Sequence, residues 1–219
     1  MTLFAYPEGA RFGRVIPKTK IYEHAQPTPA LKQRFVRQVE QIVWQYKLAP
    51  QTVNLPATSQ VTEIQVFVLT LKSGELSADV LRAIDTAIPF PIVFELHYDG
   101  AIQVWAAYKA PHPSTPERWH VGEYFWSQWL SVHDARSALP IAIDMEQLYG
   151  RIVAPLLPYP ARPGERLAQH ISRLESITRT QTALHQLERR VSREQQFNRK
   201  LALHDELRRL TADLRHLTA

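Results

Sequence analysis

The apolar positions of this chain change period several times, and each change predicts an element. Val15 to Tyr22 reads as a short strand, and Pro17 confines it to an edge or a bend because proline cannot donate to a central ladder. Thr28-Pro29 reads as a helix start, a hydroxyl cap followed by proline at the first helical position. Phe35, Val39, Ile42 and Tyr46 follow in steps of 4, 3 and 4, which predicts an amphipathic helix ending at Ala49-Pro50. Val61 to Lys72 is rich in β-branched and aromatic residues and predicts a strand. One face would carry Ile64, Val66 and Val68, the other Glu63, Gln65, Phe67 and Leu69. Ser77 caps a predicted helix running to Ala87, with Val80, Leu81 and Ile84 inward. Ile92 to Tyr98 is a second strand, Asp99-Gly100 a two-residue hairpin turn, and Ile102 to Tyr108 the returning strand. After a polar loop with Pro111, Pro113 and Pro116, the aromatic-rich stretch Val121 to Leu130 predicts a further strand. Asp144 caps a helix through Leu148, Tyr149 and Ile152. This order predicts a mixed sheet with flanking helices, α/β or α+β according to a strand order that the pattern does not decide.

The period changes for good after Gly164. From Glu165 to Ala219 there is neither glycine nor proline, enough chain for roughly 80 Å of helix. Leu184, Val191 and Asn198 lie seven apart, as do Leu187, Glu194 and Leu201, so the stretch reads as a heptad seam with polar positions at Glu194 and Asn198. Leu203, Leu207, Leu210, Leu214 and Leu217 form a second, cleaner seam. One long helical, coiled-coil extension with a stutter is the preferred expectation, since no turn residue but Asn198 marks a break. An antiparallel pair of helices broken near Ser192–Lys200 is the alternative. A solitary amphipathic helix would expose its seam, so either form implies a partner. The expected division is a body over residues 1–160 and a helical tail over 161–219.

Charge sharpens that division. Residues 161–219 hold 12 Arg and Lys against 7 Asp and Glu, a surplus of 12 − 7 = +5. The other 160 residues hold 26 − 12 = 14 basic and 21 − 7 = 14 acidic side chains, and are neutral. A neutral body with a basic tail is the build of a protein that docks on something. Arg189, Arg190, Arg193 and Lys200 are the tail cations placed to meet nucleic acid. The chain has no cysteine, which excludes disulfides, thiolate metal sites and cysteine nucleophiles. The first residues form no signal peptide and no apolar run reaches membrane-spanning length, so a cytoplasmic location is expected.

Candidate chemistry is sparse. No glycine-rich phosphate loop, His-Glu-x-x-His or Gly-x-Ser-x-Gly occurs, so no nucleotide cofactor and no metal are expected. The nearest catalytic pattern is Asp85 followed by Glu95-Leu96-His97, which resembles the Asp…Glu-x-Lys arrangement that holds magnesium in DNA-cutting enzymes. Asp85 falls in a predicted helix and His97 stands where a lysine is required, so a nuclease site is disfavoured, and Glu95 and His97 read better as residues on the more exposed face of a hairpin. Glu63, Gln65 and Lys72 form a second polar set, read as a strand with a polar entrance. The aromatic group Trp119, Tyr124, Phe125, Trp126 and Trp129, with Arg118 before it, could stack bases but reads first as core or partner surface.

Several strings resemble a known family in order along nearly the whole chain. They are Ile16-Pro17-Lys18, Val39 to Leu48, Thr52-Val53-Asn54-Leu55, Glu63-Ile64-Gln65-Val66, Ile84 to Glu95, Tyr108-Lys109 and Glu194 to Lys200. The chain is similar in these to the prokaryotic family called domain of unknown function 4391. The resemblance implies a context among helicases and DNA methyltransferases in restriction-like, anti-phage operons, and brings no catalytic residues. Glu194, Asn198 and Arg199 resemble a family motif within the tail. The expectation is therefore a non-catalytic accessory subunit of a bacterial DNA-directed defence system. It would dock a helicase, a methyltransferase or a second copy of itself through Leu187, Glu194, Asn198, Arg199, Leu203, Leu207, Leu210 and Leu214. The alternatives are a metal-dependent nuclease using Asp85 and Glu95, and a DNA-binding module using the basic tail.

Overall fold

The computed structural model describes residues 3–112 and 115–219 and divides the chain into two compact units, Met1–Pro158 and Tyr159–Ala219. The first unit contains β1 (Phe4–Ala5), β2 (Arg11–Val15), α1 (Lys18–Ala25), α2 (Pro29–Gln38), β3 (Val39–Leu48), α3 (Pro50–Val53) and β4 (Ile64–Leu71). It continues with α4 (Ala78–Ala87), β5 (Ile92–Tyr98), β6 (Ala101–His112), β7 (Thr115–Trp126), β8 (Leu130–Ser131), β9 (Ser137–Ala138) and α5 (Met145–Val153). The second unit contains α6 (Leu167–Arg193) and α7 (Phe197–Thr218). The mixed sheet with flanking helices and long C-terminal helices is thus present.

Two early segments differ from expectation. Residues 15–22 are not one strand. Pro17 ends β2 and begins α1, which buries only Ile21 and closes on Gln26 in the left-handed conformation. The predicted helix over residues 28–49 stops at Gln38, and the next residue opens a ten-residue strand. Steps of 4, 3 and 4 fit a helix, but Val39, Ile42, Val43, Trp44 and Tyr46 are strand formers whose cross-strand partners on β4 decide the outcome.

The main sheet has seven strands in the order β2-β3-β4-β5-β6-β7, with β8 also on β6. Within it only β4 and β5 are parallel, joined by the crossover helix α4. β1 and β9 form a separate parallel pair. The β5–β6 turn is the expected hairpin: Asp99 (φ 47°) and Gly100 (φ 73°) both adopt positive φ, as a type I′ turn requires.

One face of the sheet is covered by α1, α2 and α4. Its core gathers Ile21, Phe35, Val80, Leu81 and Ile84 from the helices against Phe67, Leu69, Phe94, Leu96 and Tyr124 from the strands. A single row of aromatic residues crosses this face in register: Trp44 pairs Phe67, Phe67 pairs Phe94, Phe94 pairs Trp105, and Trp105 pairs Trp126. Phe12 extends the row at the β2 edge, 4.4 Å from Trp44 between centroids. Both ends of the row, Phe12 and Trp126, are exposed. Strand alternation turns Val66, Val93, Glu95, Val104 and Ala106 to the opposite face.

The second unit is an antiparallel helical pair rather than one continuous helix. α6 ends with Glu194 at φ −77°, ψ 125°, and α7 begins after Gln196 at φ −80°, ψ 120°. Along α7, Leu203, Leu207, Leu210, Leu214 and Leu217 are half-buried. Along α6, Leu174, Ile177 and Leu187 are buried. Burial of this kind contributes about 1 kcal/mol for a half-covered leucine. Introducing aspartate at two such positions, Leu207→Asp with Leu214→Asp, should cost the hairpin more than about 3 kcal/mol. The expected result is loss of helical circular dichroism at 222 nm. The near-ultraviolet signal of the five tryptophans, all in the first unit, should persist. Full retention of the helical signal would contradict this packing.

Candidate functional site

α4 has the strongest amphipathic character of the body helices, and its buried face ends in a carboxylate, Asp85. Tyr124 on β7 donates its hydroxyl to Asp85 Oδ2, and Lys109 Nζ on β6 lies 3.3 Å from Oδ1. Lys109 Nζ also donates to the backbone oxygens of Asp85 and Ile88, each at 2.5 Å. It thereby caps helix-terminal carbonyls that have no partner within α4. The Lys109 side chain is fully buried. Burial pushes the Asp85 carboxyl up, opposed by Lys109 and then by Tyr124. Burial pushes the Lys109 ammonium down, opposed by Asp85. One turn earlier, Arg82 donates to the carbonyls of Val121 (2.9 Å) and Gly122 (3.0 Å) and lies 5.5 Å from the Tyr124 ring centroid. The β6–β7 register shifts at this point, and the bulge frees the carbonyls that Arg82 takes up. A Cβ at Gly122 would stand 3.3 Å from the Tyr108 carbonyl oxygen, so the bulge favours glycine.

Glu95 belongs to a different cluster and is buried, not on an exposed hairpin face, because the β1–β9 pair and Arg136 cover that side of the sheet. It is one residue out of phase with Phe94 and Leu96, which face α4, so it points away from Asp85 through the sheet. Arg136 binds it with two hydrogen bonds of 2.8 Å and also donates to the Phe4 carbonyl. Burial raises the Glu95 carboxyl, but Arg136, with a smaller contribution from His97, outweighs it and holds Glu95 below the usual carboxylate range. His97 Nε2 lies 3.5 Å from Glu95 Oε2 and has no hydrogen-bond partner. The cluster pins the β1–β9 pair to the sheet. Asp85 and Glu95 therefore cannot share a metal ion, and the described residues contain no group of three or more His, Asp or Glu arranged to hold one.

The second polar set is also dispersed. Glu63 pairs with Lys47 at 2.8 Å, and Gln65 bridges Glu63 and the Trp44 indole. Lys72, at the far end of β4, donates to the Val36 carbonyl on α2. Of the aromatic group, Tyr124 is core, Trp119 lies 5.9 Å from Lys109 Nζ, Phe125 is half-buried, and Trp126 and Trp129 are exposed. The Arg118 side chain lies outside the described residues.

The hairpin places the tail candidates at two levels. Leu187, Leu203, Leu207, Leu210 and Leu214 lie along its length and are buried or half-buried. Glu194 and Asn198 are at the tip, not in a seam: Glu194 Oε1 accepts from Gln196 N at 2.9 Å and shapes the turn, while Asn198 is exposed. Around them Arg189, Arg190, Arg193, Arg199 and Lys200 are exposed and make no ion pair among the described residues. Phe197 and Leu201 project beside them, 76% and 51% exposed.

The opposite end is closed by Arg173, which the heptad pattern does not reveal. Its guanidinium binds Glu165 at 2.7 and 2.8 Å and donates to the Pro160 (2.8 Å) and Leu217 (3.1 Å) carbonyls. Lys109 is marked in the sequence only as an isolated charge in the apolar run Ala106-Ala107-Tyr108-Lys109-Ala110.

These features define a mixed α/β domain followed by a helical hairpin. The chain belongs to the family described as Domain of unknown function (DUF4391), whose model matches residues 4–214. No curated protein and no solved structure matches it. No helix among the described residues is long and apolar enough to cross a membrane.

Hydrogen bonds from Arg173 draw the Glu165 carboxyl down to about 2. A lowered carboxylate stabilises the fold fully above its unfolded pKa, and that contribution is lost as pH falls through the folded value. Hairpin stability should accordingly be level above about pH 5 and decline toward pH 2. Glu165→Gln should lower the melting point at pH 7 and flatten this acid limb. An acid limb unchanged in Glu165→Gln would show that another group sets it.

Proposed function

We propose that this protein is a non-catalytic accessory subunit of a bacterial DNA-directed defence system, and that it docks a helicase or DNA methyltransferase through the tip of its helical hairpin. The tip carries the reading: two large apolar side chains, Phe197 and Leu201, stand exposed among five unpaired cations. Exposed apolar groups rimmed by charge are characteristic of protein-binding surfaces. The family context supplies the kind of partner. The body supports the reading in a second way, because its two buried carboxylates are each neutralised by a basic side chain and face opposite sides of the sheet. The same five cations favour a second reading, in which the tip holds the DNA backbone.

Co-purification of the full chain with a bacterial helicase or DNA methyltransferase separates these readings. Phe197→Asp with Leu201→Asp should abolish co-elution and leave the hairpin folded, since neither side chain is buried. Arg193→Glu with Arg199→Glu should weaken co-elution and flatten its decline with salt, because fewer attractive charges remain to be screened. Loss of DNA retention in the charge variant alone, with protein co-elution unaffected by either variant, would favour the DNA reading. Magnesium-dependent cleavage of plasmid DNA that disappears in Asp85→Asn would overturn the non-catalytic assignment.

A further inference from the structure

The carboxyl end of the β4–α4–β5 unit opens into a pocket of about 410 Å³ that the buried clusters of the body do not use. Ligands of open α/β sheets gather at this end of parallel strands. Its walls are Leu71 and Leu96 at the strand ends, Glu75 and Leu76 in the β4–α4 connection, and three tryptophans, Trp105, Trp126 and Trp129. The row of aromatic residues that crosses the sheet terminates here. Trp105 and Trp126 stack with centroids 4.6 Å apart and planes 18° apart, and Trp126 is 54% exposed.

Two polar groups of the wall are committed, while the Trp126 and Trp129 indole N–H groups have no hydrogen-bond partner among the described residues. The Trp105 indole N–H donates to Gln103 Oε1 at 2.8 Å, and Gln103 Nε2 donates to the Ser127 carbonyl at 2.8 Å. The carboxylate of Glu75 is exposed and has no ion-pair or hydrogen-bond partner among the described residues. Among the described residues no basic side chain lines the pocket.

From this geometry we infer that the pocket binds an arginine side chain presented by a partner polypeptide. Indole faces attract cations through their quadrupole, and a planar guanidinium can stack on the open face of Trp126 while its edge meets a carboxylate. A nucleotide fits this wall poorly, because its phosphate would meet Glu75 and no cation. Free arginine fits less well than a peptide, because its α-carboxylate would likewise find no positive partner.

Tryptophan fluorescence of the full chain reads the site directly, since three of the five tryptophans line it. The probes are acetyl-Gly-Arg-Gly-amide, its norleucine analogue, free arginine and adenosine monophosphate. The arginine peptide should give a saturable change, with free arginine binding more weakly and the other two giving none. Glu75→Gln should weaken the peptide about threefold, and Trp126→Ala should remove the response, as fits an exposed ion pair and a single cation–π contact. The Glu75 side chain is exposed, so Glu75→Gln should not alter the melting point, whereas Trp126→Ala loses the stack on Trp105 and should lower it slightly without unfolding the body. Equal binding of the norleucine peptide would reduce the site to an apolar cleft. Tighter binding of adenosine monophosphate would make it a base-stacking site. Either result, an unchanged affinity in Glu75→Gln, free arginine binding as tightly as the peptide, or no saturation by the arginine peptide would overturn the inference.

Discussion

The body is organised around one buried ammonium. Lys109 reaches from β6, next to the edge strand β7, to the carboxyl end of α4, where it meets two backbone carbonyls and the Asp85 carboxylate. A charge buried so completely is costly unless every donor finds an acceptor, and here Nζ has three. The same contact fixes the end of the helix, and with it the start of β5 and the only parallel pairing in the main sheet. Tyr124 and Arg82 extend the clamp to β7, where Arg82 takes up the carbonyls that the bulge leaves without ladder partners. On the opposite face Arg136 plays a comparable part for Glu95. The polar groups that look most like chemistry in this domain hold its layers together.

The hairpin follows a different logic. Its length is set by half-buried leucines and its closed end by Arg173, which is bonded to the chain before α6 and to the last turn of α7. At the turn end it is Glu194 that has a structural part, through its bond to Gln196 N. There Phe197, Leu201 and the surrounding arginines are exposed without any packing role in the hairpin itself. The distribution of work along the hairpin, stabilising groups at one end and unpaired groups at the other, is what directs the functional reading to the tip.

How much was legible in the sequence depended on whether local chemistry decided the structure. α4 rests on its apolar period, although Ser77 makes no side-chain cap, and α5, β4, β5 and the Asp99-Gly100 turn rest on the Asp144 cap, strand-forming runs and positive-φ residues; all are visible in the pattern. The passage from α2 into β3 is not, because Phe35, Val39, Ile42 and Tyr46 satisfy a helical period and only pairing with β4 selects the strand. The α6–α7 break leaves no glycine or proline signal because Glu194 and Gln196 take ordinary extended angles that any residue adopts. The partners of Asp85 and Glu95 come from β6, β7 and the segment between β8 and β9, far along the chain. Spacing could bring the two carboxylates to attention, but strand alternation, not spacing, sends them to opposite faces.

The central claim is that the Asp85–Lys109 pair is kept for architecture, and a double-mutant cycle in denaturant tests it most directly. Lys109→Met alone strands a buried carboxylate and Asp85→Asn alone strands a buried ammonium, so each should cost about 3–5 kcal/mol. The double variant should cost clearly less than the sum of the two, by about 1–3 kcal/mol, with the near-ultraviolet signal of the body unchanged. Single variants as stable as the parent, with no coupling between the two positions, would contradict the account and return Asp85 to consideration as a reactive group.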